Sequence, residues 1–214
     1  MIDSITFRYL KFFLITHLIR LNKAERITVM PLIECLLIKG YDSDTRRIVS
    51  ERLTDAACSA IGADPEFVIV TIKEVESDNY MRGRTQKTPA KAPPQAESIV
   101  RSFLTSMENR NIKEAQQYLA ETFVMTFPGG ASFTELDQLV DWAKQRYQSI
   151  SKTFEHFDVA FTGRESVVHC SGTLKGTWLD GQTFDDIRFC DRFTLSGSKI
   201  TSQNVWNDMA EAKR

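Results

Sequence analysis

The 214-residue sequence has little of the raw material from which metal, redox and nucleic-acid sites are built. Its three histidines, His17, His156 and His169, are never spaced i, i+4, so no metal site is expected. The four cysteines, Cys35, Cys58, Cys170 and Cys190, form no C-x-x-C pair and each sits within an apolar pattern. They are expected to be reduced core residues. Lysine and arginine number 27 against 28 aspartates and glutamates, and nothing supplies the basic stripe that phosphate binding needs, so nucleic acid is not an expected partner. The longest apolar run near the start, Phe12 to Ile19, is broken by Thr16 and His17 and falls short of the roughly 20 residues of a membrane span. No membrane, metal or cofactor is therefore expected, and the cytoplasm is the expected location.

What is present divides into four stretches. Residues 1–30 carry Arg8 and Lys11 ahead of the apolar run, but no small-x-small cleavage site follows before the charged stretch Asn22 to Arg26, which argues against a signal peptide. Met30 directly precedes Pro31, and an initiator methionine before proline is readily trimmed. We expect the natural chain to start there, with residues 1–30 an upstream extension outside it.

Residues 31–80 read as β-α-β. Pro31 to Ile38 (PLIECLLI) is a short apolar run closed by Lys39-Gly40, as for a buried strand and its turn. Asp42 or Ser43 can cap a helix that carries Val49, Leu53, Ala56 and Ala60 at helical spacing, and Gly62 with Pro65 closes it. Phe67 to Val75 is a second strand, and a crossover helix of this length makes the two strands parallel. So small a unit has too little core to stand alone, and a homo-oligomer is expected. Residues 81–96 (MRGRTQKTPAKAPPQA) are basic, proline-rich and nearly free of apolar residues, as for a solvated linker.

Residues 97–214 change character again. Ile99, Phe103 and Met107 mark one helix, Ala115 to Leu119 a shorter one and Phe133 to Tyr147 a third. Phe154 to Trp206 then alternates as long strands broken at Gly163, Asp180-Gly181 and Ser196-Gly197. Helices followed by a curved antiparallel sheet make an α+β layout, here with a cone-shaped barrel. Along one strand Ile187, Phe189, Asp191, Phe193 and Leu195 share a face, so Asp191 points inward among apolar neighbours. It is either a protonated hydrogen-bond donor or half of a buried pair with Arg188, Arg192 or an indole N–H. Trp178 and Trp206 are candidates to line a pocket, or core.

Two resemblances give these stretches a chemistry. Pro31 after a Met, the strand PLIECLLIKG, a helix opening SDTRR, the Gly-Ala-Asp-Pro turn and the strand FVIVTIKEV followed by Tyr80 together resemble the 4-oxalocrotonate tautomerase superfamily. The resemblance implies an isomerase in which Pro31, as a free amino-terminal amine, is the general base for keto-enol tautomerisation of a small carbonyl or enol compound. An amino-terminal amine has a pKa near 8, which burial lowers toward neutrality, and such a base can move a proton next to a carbonyl. The family's substrate-binding positions fall on Tyr41, Ile69 and the aromatic Tyr80. Tyr41 and Ile69 stand where the founding enzyme has arginines, so the carboxylate grip of that enzyme is missing.

From Glu97 onward, SIVRSFLTSMENRNIKEAQQYL, the TFPGG turn and IRFCDRFTLSGSKITSQNVWND resemble the nuclear transport factor 2 superfamily, in its SnoaL-like polyketide cyclase and ketosteroid isomerase branches. The implied pocket residues are Asp191, Phe103, Phe127 and Trp206. Phe103 and Phe127 occupy the places of an aromatic hydroxyl and a general base, so steroid isomerisation is not expected. The pocket domain is then a non-catalytic ligand-binding or dimerising module, or an isomerase or cyclase centred on Asp191.

Overall fold

The computed structural model describes residues 30–212. The upstream stretch therefore lies outside the described residues, apart from Met30. Two compact units divide between Ala92 and Pro93.

The first unit is β1 (Leu32–Ile38), helix α1 (Ser43–Ile61) and β2 (Ile69–Val75), with the two strands parallel and Leu32 opposite Ile69. Asp42 caps α1 by accepting from the Thr45 N–H at 2.7 Å, a bond that also holds its carboxyl below the usual range. Gly62 ends the helix in the left-handed region, its N–H bonded to the Cys58 carbonyl at 2.9 Å. The second strand starts two residues later than the apolar pattern suggests. Asp64 accepts from the Glu66 N–H at 3.0 Å and Pro65 opens a single 3-10 turn, which takes Phe67 out of the strand. The linker is also not structureless throughout: β3 (Met81–Arg82) and β4 (Thr85–Gln86) form a small hairpin, with Gly83 and Arg84 at positive φ making the tight turn. The two units therefore part about ten residues after the point where the apolar pattern stops.

This unit covers little of its own apolar surface. No residue of α1 is buried, and in β1 Ile33 is buried while Leu36 is 62% exposed. A two-stranded sheet has two faces to cover, and this unit has one helix to cover them with.

The second unit places α2 (Ala96–Glu108), α3 (Ile112–Gln116) and α4 (Leu136–Lys144) against a six-stranded sheet. Its strands are β5 (Leu119–Thr126), β6 (Ser132–Phe133), β7 (Tyr147–Phe161), β8 (Glu165–Trp178), β9 (Thr183–Ser196) and β10 (Lys199–Asn207), followed by a short helix α5 (Met209–Ala212). The order across the sheet is β6-β5-β10-β9-β8-β7, antiparallel except where β5 runs parallel to β10. The sheet is open rather than a closed barrel, because its outer strands β6 and β7 do not pair. The α+β layout is as expected; β5, absent from the sequence expectation, replaces what reads as the tail of the second helix. Val100, Phe103, Val168, Phe193, Leu195 and Ile200 form the most deeply buried part of the core between helices and sheet. All four cysteines are free, but of the four only Cys170 is buried. Among the described residues no helix is long and apolar enough to cross a membrane.

The sheet bends where β7 slips register against β8, between Phe154 and His156, opposite Gly172. A Cβ on Gly172 would lie 1.9 Å from the Thr153 carbonyl oxygen, and its φ of +159° is one that side chains rarely adopt. Only glycine lets the two backbones meet there. Gly172→Ala should cost about 3 kcal/mol of unfolding free energy, read by urea denaturation; an unchanged midpoint would remove the close approach as a constraint.

Candidate functional site

In the first unit Pro31 is buried at the head of β1, and its carbonyl accepts from the Ile69 N–H at 2.9 Å. Ile69 is 47% exposed beside it. Six ladder steps of about 3.3 Å then carry the strands some 20 Å to Ile38 and Val75. Tyr41 follows that far end. Its carbonyl accepts from the Arg46 guanidinium, which also pairs with Glu74 at 3.4 Å. Tyr80 lies beyond the end of β2, after the 3-10 turn Ser77–Asn79. One chain thus brings Pro31 and Ile69 together and leaves Tyr41 and Tyr80 at the opposite end of the ladder.

The second unit holds a mostly apolar cavity of about 170 Å³ between α2, α4 and the sheet. Phe103 and Phe127 line it. Phe103 packs edge-on against Phe123 and Phe193, and Phe127 against Phe133 and Trp142. Trp206 does not line it. On β10 Gln203 and Val205 point inward, so Trp206 falls on the other face and is 51% exposed. Trp178 is buried against Phe184, ring centroids 4.4 Å apart, as core.

Asp191 is fully buried, with Ile187, Phe189, Phe193 and Leu195 buried on the same face of β9. Its partner is neither neighbouring arginine. Arg188 donates to Asp208 at 2.7 Å and Arg192 to the Thr194 hydroxyl at 2.9 Å, because alternation turns both away from the core. The partner is Lys152 on β7, whose ammonium donates to Asp191 Oδ2. Gln203 Nε2 donates to the same oxygen at 3.0 Å. Lys152 Nζ also sits 4.3 Å from the centroid of the Phe189 ring, a cation–π contact. Asp191 Oδ1 and Gln203 Oε1 are buried without a hydrogen-bond partner among the described residues. The carboxylate lies behind the cavity wall, and the lysine, 22% exposed, lines it. Sequence reasoning missed Lys152 and Gln203. The signal was there: Lys152 alternates with Ile150 and Phe154 as Asp191 alternates with Phe189 and Phe193.

The Cys170 thiol, beside this pair, is pushed up to about 12, first by burial and then by the Asp191 carboxylate. It is held as a neutral thiol. Tyr147 at the cavity is raised by burial, against a smaller opposing effect of Arg110 and Arg146.

With the geometry in place, the comparisons fall on the two units separately. The family model for tautomerase enzymes matches residues 31–88, beginning at Pro31. A probable tautomerase of Ralstonia nicotianae is 37% identical over 65 residues, which cover 30% of this chain and 93% of that protein. The chain belongs to the tautomerase family. A probable tautomerase of Halalkalibacterium halodurans is similar at 31% identity over 51 residues, 24% of this chain and 84% of that one. Residues 100–203 match the SnoaL-like domain, so a tautomerase domain is here fused to a SnoaL-like domain.

Among solved structures, a nuclear transport factor 2-like protein of unknown function from Burkholderia pseudomallei is 16% identical, covering 55% of this chain and 93% of that one, with a TM-score of 0.46. A putative ketosteroid isomerase from Shewanella frigidimarina is 20% identical over 52% of this chain and 94% of that one, with a TM-score of 0.44.

Two outcomes test the polar cluster. Lys152→Met leaves a fully buried carboxylate with one amide for company and should cost about 3 to 5 kcal/mol at neutral pH, while Asp191→Asn frees a lysine that can reach water and should cost less, about 1 to 2 kcal/mol. Equal costs in denaturant titrations would contradict the asymmetric burial. The Cys170 thiol ionises more readily in the unfolded chain than in the folded one, so its contribution is fully present below about pH 9 and is lost as pH rises toward about 12. Cys170→Ala should flatten the alkaline fall in stability, and iodoacetamide at pH 8 should leave Cys170 unmodified in the folded protein.

Proposed function

We propose that the tautomerase domain catalyses keto-enol tautomerisation of a small carbonyl compound, with Pro31 as general base once the residues before it are removed. The observation that carries this reading is the place of Pro31: buried at the head of β1, where the family match begins, with Ile69 bonded to its carbonyl. As a free secondary amine there, its nitrogen is partly desolvated, which favours the neutral form that can take a proton. While Met30 remains attached, the nitrogen is an amide and carries no basicity.

A homo-oligomer completes the site. Tyr41 and Tyr80 lie across a ladder about 20 Å long from Pro31 in their own chain, so a second copy must bring its far end to the first copy's proline. The bare helix α1 and exposed Leu36 supply the apolar surface for such packing. Tyr41 and Ile69 offer no bidentate cation, so the preferred substrate is neutral or singly charged rather than a dicarboxylate. The free cysteines fit a reducing compartment such as the cytoplasm.

The test starts with intact mass and amino-terminal sequencing of protein from its native source. A chain starting at Pro31 should ketonise phenylenolpyruvate, and Pro31→Ala should lower that rate by about 10² or more. A native chain that retains residues before Pro31, or a mutant with the parent's rate, would remove proline as the base.

A further inference from the structure

The SnoaL-like unit carries a second site, independent of Pro31. Its cavity has aromatic and aliphatic walls, among them Phe103, Phe127, Trp142 and Phe154, and one ammonium, that of Lys152, set into the sheet side; the other charged side chains that line it, Glu108, Arg110 and Arg146, belong to exposed residues. This lysine differs from an ordinary cation in a pocket. Its charge is already balanced from behind by the Asp191 carboxylate, which is fully buried and held in place by Gln203. Nζ has three N–H bonds; one is given to Asp191, and no other acceptor takes one among the described residues. At Lys152 the wall therefore offers hydrogen-bond donors whose charge is already matched by a partner.

That arrangement discriminates between acceptors. A neutral carbonyl oxygen can accept from Lys152 and leave the site neutral. A carboxylate at Lys152 brings a full charge against an ammonium already paired with Asp191 and gives up hydration there, while the exposed guanidiniums of Arg110 and Arg146 offer it only a solvent-screened attraction. A hydrocarbon fills the space but leaves the remaining N–H bonds of the ammonium without an acceptor. The size follows from the volume. An engineered cavity of about 150 Å³ holds benzene, so one of about 170 Å³ admits a single ring with a short substituent. The flat aromatic walls favour a ring over a chain.

We propose that this cavity is a binding site for neutral, ring-sized ketones or aldehydes, with Lys152 as the carbonyl-recognising donor and Asp191 as the counter-charge that makes the site select neutral carbonyls over carboxylates. Asp191 acts through Lys152 and never touches the ligand, so it is a positioning residue. This assigns the buried acid a role in ligand selection rather than in proton transfer.

The probes are acetophenone, ethylbenzene and benzoate, three molecules of similar size that carry a carbonyl, no oxygen and a carboxylate. Calorimetric titration into the full chain at neutral pH should give acetophenone the tightest binding, about tenfold ahead of each of the others. Benzoate binding as tightly as acetophenone, or no binding of acetophenone at millimolar concentration, would overturn the proposal without any variant being needed. Lys152→Met should bring acetophenone and ethylbenzene level; a preference for the ketone that survives would place the donor elsewhere. Asp191→Asn leaves the lysine cationic and unbalanced, and the order should reverse, with benzoate overtaking acetophenone. A purely structural Asp191 would weaken all three probes alike, and that result would refute its part in selection. Borohydride treatment of the acetophenone complex should add no mass; a stable adduct on Lys152 would mean an imine and would replace hydrogen-bond recognition by covalent chemistry.

Discussion

The second unit is arranged around a charge it cannot expose. Asp191 sits in the middle of β9 at an inward position, so its carboxylate has to be matched inside the protein. The match comes from strands on either side of β9, Gln203 from the adjacent β10 and Lys152 from β7, which lies beyond β8, so the lysine ties together two strands that are not neighbours in the ladder. The same contact decides what the cavity presents. With the acid behind the wall and the base at its surface, an aromatic chamber gains a donor without gaining a net charge. The neighbouring thiol of Cys170 is kept neutral by burial and by that same carboxylate.

The first unit obeys the opposite constraint. It has almost nothing buried to protect: one helix with no buried residue lies on a two-stranded ladder. Its deficit is of core rather than of charge balance, and Pro31 and Ile69 stand at one end of the ladder while Tyr41 and Tyr80 stand beyond the other. Under the proposed function a domain of this kind supplies parts to a site rather than a site, whereas the SnoaL-like unit gathers its whole cavity from a single chain.

How much of this was legible in the sequence depends on how local each signal is. The β-α-β order, the Asp42 cap and the Gly62 stop are set by residues within one turn of each other, and they read directly. The inward position of Asp191 also read directly, because alternation is a property of one strand. Its partner did not. Lys152 is 39 residues away, and the arginines that flank Asp191 in sequence are turned to the other face by the very alternation that buries it. Trp206 was misplaced for a related reason: the register of β10 shifts between Ile200 and Ser202, and the shift decides which of its residues face the cavity. The strand β5 was missed because Leu119–Thr126 mixes exposed polar and apolar residues, and its strand character comes from pairing in parallel with β10 some 80 positions later.

That late pairing has a bearing on the order in which the chain takes shape during synthesis. The strand β10 lies in the interior of the sheet, between β5 and β9, though it is the last of the six to be made. Until Lys199–Asn207 have left the ribosome, β5 and β6 have no partner to join them to the β7–β9 meander, and α2 and α3 have only part of a surface to pack on. The β-α-β of the tautomerase domain, complete by Val75, has by then long since been made. A truncation anywhere before β10 would release a nascent chain whose first unit is complete while its second still exposes an unfinished sheet edge, which is the state in which chaperones and proteases find their substrates.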